Sequence, residues 1–460
     1  MKLRSCFGTL VLALAASSAM AEPQVILNGS KFKTVTGDDV RANGAGIIKV
    51  GAYYYMIGEN RKDTGGFNAI SMYRSIDLKN WEFRRDVLTY QSDPFLEVSN
   101  IERPKIIYNA ATRKYVIWGH YENGTNYSEA RVIVATSSRI DGDYAFKGSF
   151  RPLNFSSRDM TLYQDGDGKA YLISATNNNY DLNVYLLNAS YTGIDSLAYT
   201  FKGYHKEAPA VFKRGSTYFL VGSGATGWTP NQGVYFTAPA ITGPWSGPVN
   251  FSNGTTYSSQ STFVLPIQGT QTTSYLYMGD RWGPAQGQRI NESQYVWLPL
   301  RFPTSTTLAM DGRSQITVDT VTGSVTLGGD TPLRQIKSVL NGRCANVSGN
   351  QLLYGRGVIH YPCGGGGPNE SVEERPAGEN VQFVFQHSGL CLAQNDEVAT
   401  GGSVVQHGCT QARAQWYRAG QTIVNRRTGA CLEVPNTPGN SAMRTAPCDS
   451  SDRQKWWVTI

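Results

Sequence analysis

The sequence is short of charge, of histidine and of long apolar runs. Only 17% of its 460 residues are charged, 42 basic against 35 acidic, and histidine occurs five times. A net charge of +7 over this length makes no dense basic patch, so nucleic acid is not an expected partner. No stretch of about 20 consecutive apolar residues occurs, so no membrane-spanning helix is expected. GxSxG, HExxH and P-loop patterns are missing, which removes common serine-hydrolase, zinc-protease and nucleotide-binding readings. Without CxxC, and with so few histidines, neither a metal nor a cofactor is implied. Asp165-Gly166-Asp167-Gly168 has a calcium-like spacing but lacks the rest of an EF-hand loop, and reads as a β-turn. Glycine (49) and aromatic residues (26 Tyr, 17 Phe, 9 Trp) are plentiful. With the low charge, they favour short strands and turns over helical bundles. A hydrophobic share of 40% excludes whole-chain disorder.

Cysteine is also scarce, and unevenly placed. Six of the seven lie after residue 340; the seventh is Cys6. Lys2 and Arg4, the apolar run Leu10 to Ala16 and then Ala19-Met20-Ala21 read as a secretory signal peptide over residues 1–21. The apolar run is too short to span a bilayer. Its removal leaves 40 basic against 35 acidic residues. Export, extracellular or periplasmic, makes disulfides the default for the remaining six cysteines. Fifteen pairings are possible in principle. Near-equal spacing selects three local bridges, Cys344–Cys363, Cys391–Cys409 and Cys431–Cys448.

The repeats go beyond cysteine. Gly342-Arg343-Cys344, Gly389-Leu390-Cys391 and Gly429-Ala430-Cys431 open three units of about 40 residues. Gln382-Phe383-Val384, Gln415-Trp416 and Gln454-Lys455-Trp456 close them. A threefold β structure follows, whose units cannot bury a core alone. Residues 334–460 resemble the ricin-type β-trefoil, also classed as carbohydrate-binding module family 13. In that family an acid two residues after the first Cys and an aromatic two before the second build each sugar pocket. The resemblance therefore points to Asn346 with Tyr361 in the first repeat, the favoured site. The second repeat has Ala393 and His407, and the third has Glu433 but Ala446.

The segment 22–328 has another rhythm. Tyrosine-rich runs starting near Tyr55, Tyr115, Tyr171, Tyr218 and Tyr275 each follow a turn signal. Five units of about 50–60 residues predict a five-bladed β-propeller, so the whole chain is expected to be all-β, a propeller followed by a trefoil, joined by a linker at 329–333. Glu102, Asp159 and Glu207 each open a blade's first inner strand, where blades deliver polar groups to a central funnel.

The strings IERPKIIYN (101–109), SRDMTLYQD (157–165), EAPAVF (207–212), GWTPN (227–231), SSQSTF (258–263), GDRW (279–282) and YVWLPL (295–300) resemble glycoside hydrolase family 43, most closely its exo-β-1,3-galactanase branch. The resemblance spans 25–325. It implies release of galactose from the non-reducing end of β-1,3-galactan, the arabinogalactan main chain, with inversion; a monomer is expected. Glu207 matches the general acid. Glu102 matches a second acid, expected to keep Glu207 protonated by like-charge repulsion and to accept sugar hydroxyls, with Arg103 limiting its own shift. The wider family's early first-blade Asp is missing: the region reads Arg41-Ala42-Asn43-Gly44-Ala45-Gly46. The branch shares that absence and carries Gln where this chain has Gln260, which either acts through an imidic-acid tautomer or positions the attacking water. By position, Glu59 and Asp159 are expected to hold galactose hydroxyls, Tyr127 and Trp228 to offer stacking faces, Asn178 to hydrogen-bond, and Asp280 and Trp282 to lie near the ring closure. The rival readings are a β-xylosidase or α-L-arabinofuranosidase, which resemble the branch that keeps the missing Asp, and a noncatalytic sugar-binding protein.

Overall fold

The computed structural model describes residues 21–328 and 333–459, apart from 365–366, 368, 397, 399–400 and 436–438. Residues 1–20 of the signal peptide expected at 1–21 and residues 329–332 of the linker expected at 329–333 lie outside the described residues. Among the described residues no helix is long and apolar enough to cross a membrane.

Residues 43–310 form five four-stranded antiparallel sheets, each built from four consecutive strands. The five tyrosine runs all fall in second strands: Tyr53–Arg61, Lys114–Glu122, Ala170–Thr176, Thr217–Gly224 and Thr273–Arg281. These strands read as nearly continuous apolar runs because neighbouring sheets cover both faces. Tyr54, Met56 and Ile57, on alternating faces, are each no more than 1% exposed. The core is accordingly divided between consecutive sheets. Ile57 and Ile117 share one cluster, Trp118 and Leu172 a second, Ile173 and Leu220 a third. Met56, Phe219 and Tyr277 share a fourth cluster, which joins the last sheets to the first.

The chain start secures that closure. Gln24–Leu27 pairs with Gln315–Asp319, and Ser30 bridges to Tyr295. Phe32 stacks on Tyr295 at 4.4 Å and meets Trp297 edge-on at 4.8 Å. Each such aromatic pair adds about 0.5–1.5 kcal/mol beyond its buried area. The five innermost strands, Asn43–Val50, Asn100–Asn109, Met160–Gln164, Lys206–Arg214 and Gln260–Gln268, touch in cyclic order, the last against the first.

Residues 333–459 form a second unit around one sheet, in which the first strand, Leu333–Ser338, pairs with the last, Trp456–Thr459. Its core holds Phe383, Trp416 and Trp456. The Trp416 and Trp456 indoles donate to the carbonyls of Leu392 and Leu432, each one residue past a repeat's first cysteine. All three expected disulfides are formed.

Candidate active site

The polar residues gather at one end of the five innermost strands, and a local device aims them. Four of these strands carry a register shift just after the first paired residues: between Asn43 and Gly46, Glu102 and Lys105, Glu207 and Ala210, and Ser261 and Phe263. A bulge re-aims side chains where it occurs. Gly44, Arg103 and Ala208 take the left-handed backbone there, with φ of 64°, 49° and 54°. Glycine is required at 44, where a Cβ would lie 2.5 Å from Glu59 Oε1. The bulges turn Glu102, Glu207 and Gln260 towards a shared pocket of about 250 Å³, which Glu59, Arg103, Tyr127, Asp159 and Trp228 also line.

Glu207 is 8% exposed. Its Oε1 accepts Gln260 Nε2 at 2.9 Å, and its Oε2 accepts Asn179 Nδ2 at 3.0 Å. Burial, with the nearby Asp159 carboxylate, raises its pKa to about 8; the Arg103 charge works against them. The like charge on Glu207 therefore comes from Asp159, not from Glu102 as the sequence suggested. Glu102 sits in a different network. Burial opposes its ionisation, yet His120, Arg61 and the Tyr127 hydroxyl hold it well below the usual carboxylate range. Tyr127 Oη donates to it at 2.7 Å and Arg61 at 3.0 Å, so Arg61, not Arg103, is its guanidinium partner. Burial also works against charge on His120, but Glu102 at 3.2 Å and Glu122 at 2.8 Å outweigh it and raise its pKa to about 9.

Gln260 is fixed on both sides of its amide. Its oxygen accepts Arg103 Nη2 at 2.5 Å and Trp282 Nε1 at 2.7 Å. Both partners can only donate, so the oxygen must face them. Its nitrogen donates to Glu207 and, at 2.9 Å, to Ser223. An imidic-acid tautomer would point an O–H at two donors, and this arrangement disfavours it. The direct contact with Glu207 is also far shorter than the roughly 6.5–9.5 Å that separates an inverting pair across its water.

Arg103, 4% exposed, engages Asp159 at 2.9 Å and the Ser261 carbonyl at 2.8 Å as well as Gln260. Its own N–H donates to Glu59, which also pairs with Arg61 at 2.9 Å. Arg103 thus ties together residues from four of the five innermost strands or their neighbours. Asp280 lies behind the wall, 1% exposed, accepting Gly44 N at 2.6 Å and Asn43 Nδ2 at 3.0 Å. It holds in place the segment where an acid was missing. Glu102, His120 and Asp159 bring ligand atoms within 4.8 Å of one another. Each is already committed to the network: His120 to Glu102 and Glu122, Glu102 to Arg61, and Asp159 to Arg103.

Comparison with known proteins bears on what this pocket does. Residues 40–265 match the model of glycosyl hydrolases family 43, and residues 332–456 that of the ricin-type beta-trefoil lectin domain. The chain is 36% identical to the crystal structure of an exo-beta-1,3-galactanase from Clostridium thermocellum, covering 95% of this chain and 99% of that one, with a TM-score of 0.66. The chain belongs to glycosyl hydrolases family 43. It is also 31% identical to a family 43 beta 1,3 galactosidase solved with galactodeoxynojirimycin, over 63% of this chain and 99% of that one, TM-score 0.58. An exo-beta-1,3-galactanase from Phanerochaete chrysosporium, solved with beta-1,3-galactotriose, is 26% identical over 95% of this chain and 98% of that one, TM-score 0.67. No curated protein sequence matches the chain.

In this family 43 glycoside hydrolase, most residues singled out from the sequence do converge. Trp228, 40% exposed, and Trp282 form an edge-on pair at 5.3 Å on the pocket wall, and Tyr127 is 43% exposed. Asn178 is the exception. It is exposed and accepts from Arg158, while its neighbour Asn179 holds Glu207. Asn177, Asn178 and Asn179 all take left-handed backbone, and sequence alone did not say which of the three would face in. Arg61, His120 and Ser223 were not found either. In the trefoil, Asn346 is 8% exposed and bonded to Asn369 and Glu370, beside an exposed Tyr361. Glu433, 1% exposed, is bound by Arg444 at 2.6 Å and Gln454 at 2.9 Å.

Proposed function

We propose that the protein is an exo-acting, inverting β-1,3-galactanase, with Glu207 as the general acid and Gln260 handling the attacking water. The observation that carries this is one side chain: a buried carboxyl, kept protonated to about pH 8, facing a pocket in which an amide stands beside it. A general acid must hold its proton at the working pH until the leaving oxygen takes it. The pocket is smaller than the roughly 300–1,000 Å³ of sites for larger ligands, which suits one terminal sugar unit. The resemblance to proteins described as exo-beta-1,3-galactanases supplies the substrate.

In this reading the glycosidic oxygen takes its place at Glu207 and parts it from Gln260. The freed amide N–H group then holds the attacking water by its oxygen, the water's proton passing to solvent as the bond to the leaving oxygen breaks, while Arg103 and Trp282 keep the amide plane fixed. Glu59, Asp159 and Asn179 border the space for the sugar hydroxyls, and Trp228 and Tyr127 offer it faces. The five sheets are the blades of a five-bladed propeller spanning 22–328, and 334–460 is a carbohydrate-binding trefoil whose first repeat, with Asn346 and Tyr361, takes sugar. The signal-like start and three disulfides support secretion.

The test is product release from β-1,3-galactan beside xylan and arabinan oligosaccharides. Galactose is expected as the early product, from the first substrate alone. Comparable release of xylose or arabinose, or release of longer galactose oligomers without the monomer, would overturn the assignment.

A further inference from the structure

Just before Ser259, the residues Thr256, Tyr257 and Ser258 have φ of 51°, 55° and 57°. None is glycine, and L-residues visit this region rarely and singly. Such a run persists only where its surroundings over-determine it. Here two sides do so. Within the propeller-type domain, buried Arg281 donates to the Ser258 carbonyl at 3.2 Å and the Tyr257 carbonyl at 2.9 Å, while Thr256 Oγ1 donates to the Asn231 carbonyl at 2.8 Å. From the trefoil, the Ser388 carbonyl accepts both Thr255 Oγ1 at 3.1 Å and Ser258 Oγ at 2.5 Å. The His387 carbonyl accepts Asn253 Nδ2 at 3.0 Å.

Ser388 is itself held from behind. Its hydroxyl donates to Gln406 Oε1 at 2.7 Å, and Gln406 Nε2 donates to the carbonyls of Gln351 and Leu353. Thr255, Ser258, Ser388 and Gln406 are all no more than 1% exposed. Tyr354 of the trefoil borders a hollow shared with Gln260, Trp228 and Trp282. The docked face lies where the repeats meet: His387 and Ser388 stand just before the Gly389 that opens the second repeat, and Gln351, Leu353 and Tyr354 come from the first.

We propose that the trefoil is a positioning element of the catalytic pocket: through the Ser388 carbonyl it locks the left-handed segment Thr256–Ser258 and so sets where Gln260 stands. This rests on the reading of Gln260 as a residue of the reacting pocket. Thr255 and Ser258 touch no substrate in it; they act through Gln260.

The full-length protein is assayed on β-1,3-galacto-oligosaccharide with four variants. Thr255→Val removes one donor at nearly constant shape, and is expected to lower kcat about tenfold with little change in KM, as small misplacements in an active site do. Thr255→Ser restores the hydroxyl and is expected to restore kcat. Ser258→Gly removes the other donor but suits the backbone, so it is expected to lower kcat without lowering Tm. Gln260→Ala is expected to be impaired, and Thr255→Val added to it to cost nothing more. Normal kcat in Thr255→Val and Ser258→Gly, or a loss that multiplies with that of Gln260→Ala, overturns the positioning role and leaves the Gln260 reading standing. Normal turnover in Gln260→Ala overturns both.

Discussion

Glu207→Gln is expected to lower kcat on β-1,3-galactan by about 10²–10⁴-fold, the usual worth of a positioned general acid. The loss should shrink on an aryl galactoside whose leaving group departs without protonation. The pH profile supplies a second signature. Glu207 works protonated and its pKa is about 8, so wild-type kcat/KM is expected to fall as pH rises through about 8, and the variant should lose that limb. Stability should fall in the same direction. A carboxyl raised from 4.5 to about 8 binds more protons folded than unfolded between those values, so its contribution to stability falls with rising pH across that window. The Tm of the variant is therefore expected to gain on that of the wild type as pH rises from about 4 to about 8. Near-normal kcat, or a surviving alkaline limb, would remove Glu207 from the role.

Arg103→Met is expected to be the most damaging single change away from the acid. It leaves Asp159 without its 2.9 Å partner, the Gln260 oxygen without one of two donors and the Ser261 carbonyl without its guanidinium. Breaking one side of a buried pair costs about 3–5 kcal/mol, and loss of the amide's anchoring should lower kcat at least about 10²-fold. Arg103 also pulls the Glu207 pKa down, so the residual activity should carry its alkaline limb to higher pH than the wild type. Arg103→Lys keeps the charge but cannot reach three acceptors at once, and is expected to keep the limb near its place while losing most of the rate. Denaturant titration and pH profiles of both variants check this. A methionine variant with wild-type stability and an unmoved limb would contradict it.

Much of this was legible in the sequence, for physical reasons that differ by residue. Glu102, Glu207 and Gln260 stand where apolar strands begin, and the bulges beside them turn each inward. The tyrosine runs marked second strands because those strands are covered on both faces. The three cysteine pairs were readable because each closes a short loop inside one repeat. What stayed hidden depends on which residues face one another between strands. Arg61 and His120 sit in second strands and reach Glu102 on the neighbouring first strand. Asp280 looked like a pocket residue, yet the fold spends it on the backbone of Gly44. Asn179 was missed by one position in a run of three left-handed asparagines. Glu433 keeps the family's acid, but Arg444 lies on the adjacent strand and takes it.

The central claim is that Glu207 protonates the leaving oxygen while water attacks the opposite face of the terminal galactose. Proton NMR of the wild-type protein with β-1,3-galactan, followed from the first turnovers, tests it most directly. α-Galactose should appear first, with the β anomer growing in only by mutarotation. Initial release of β-galactose would contradict inversion and the role given to Gln260.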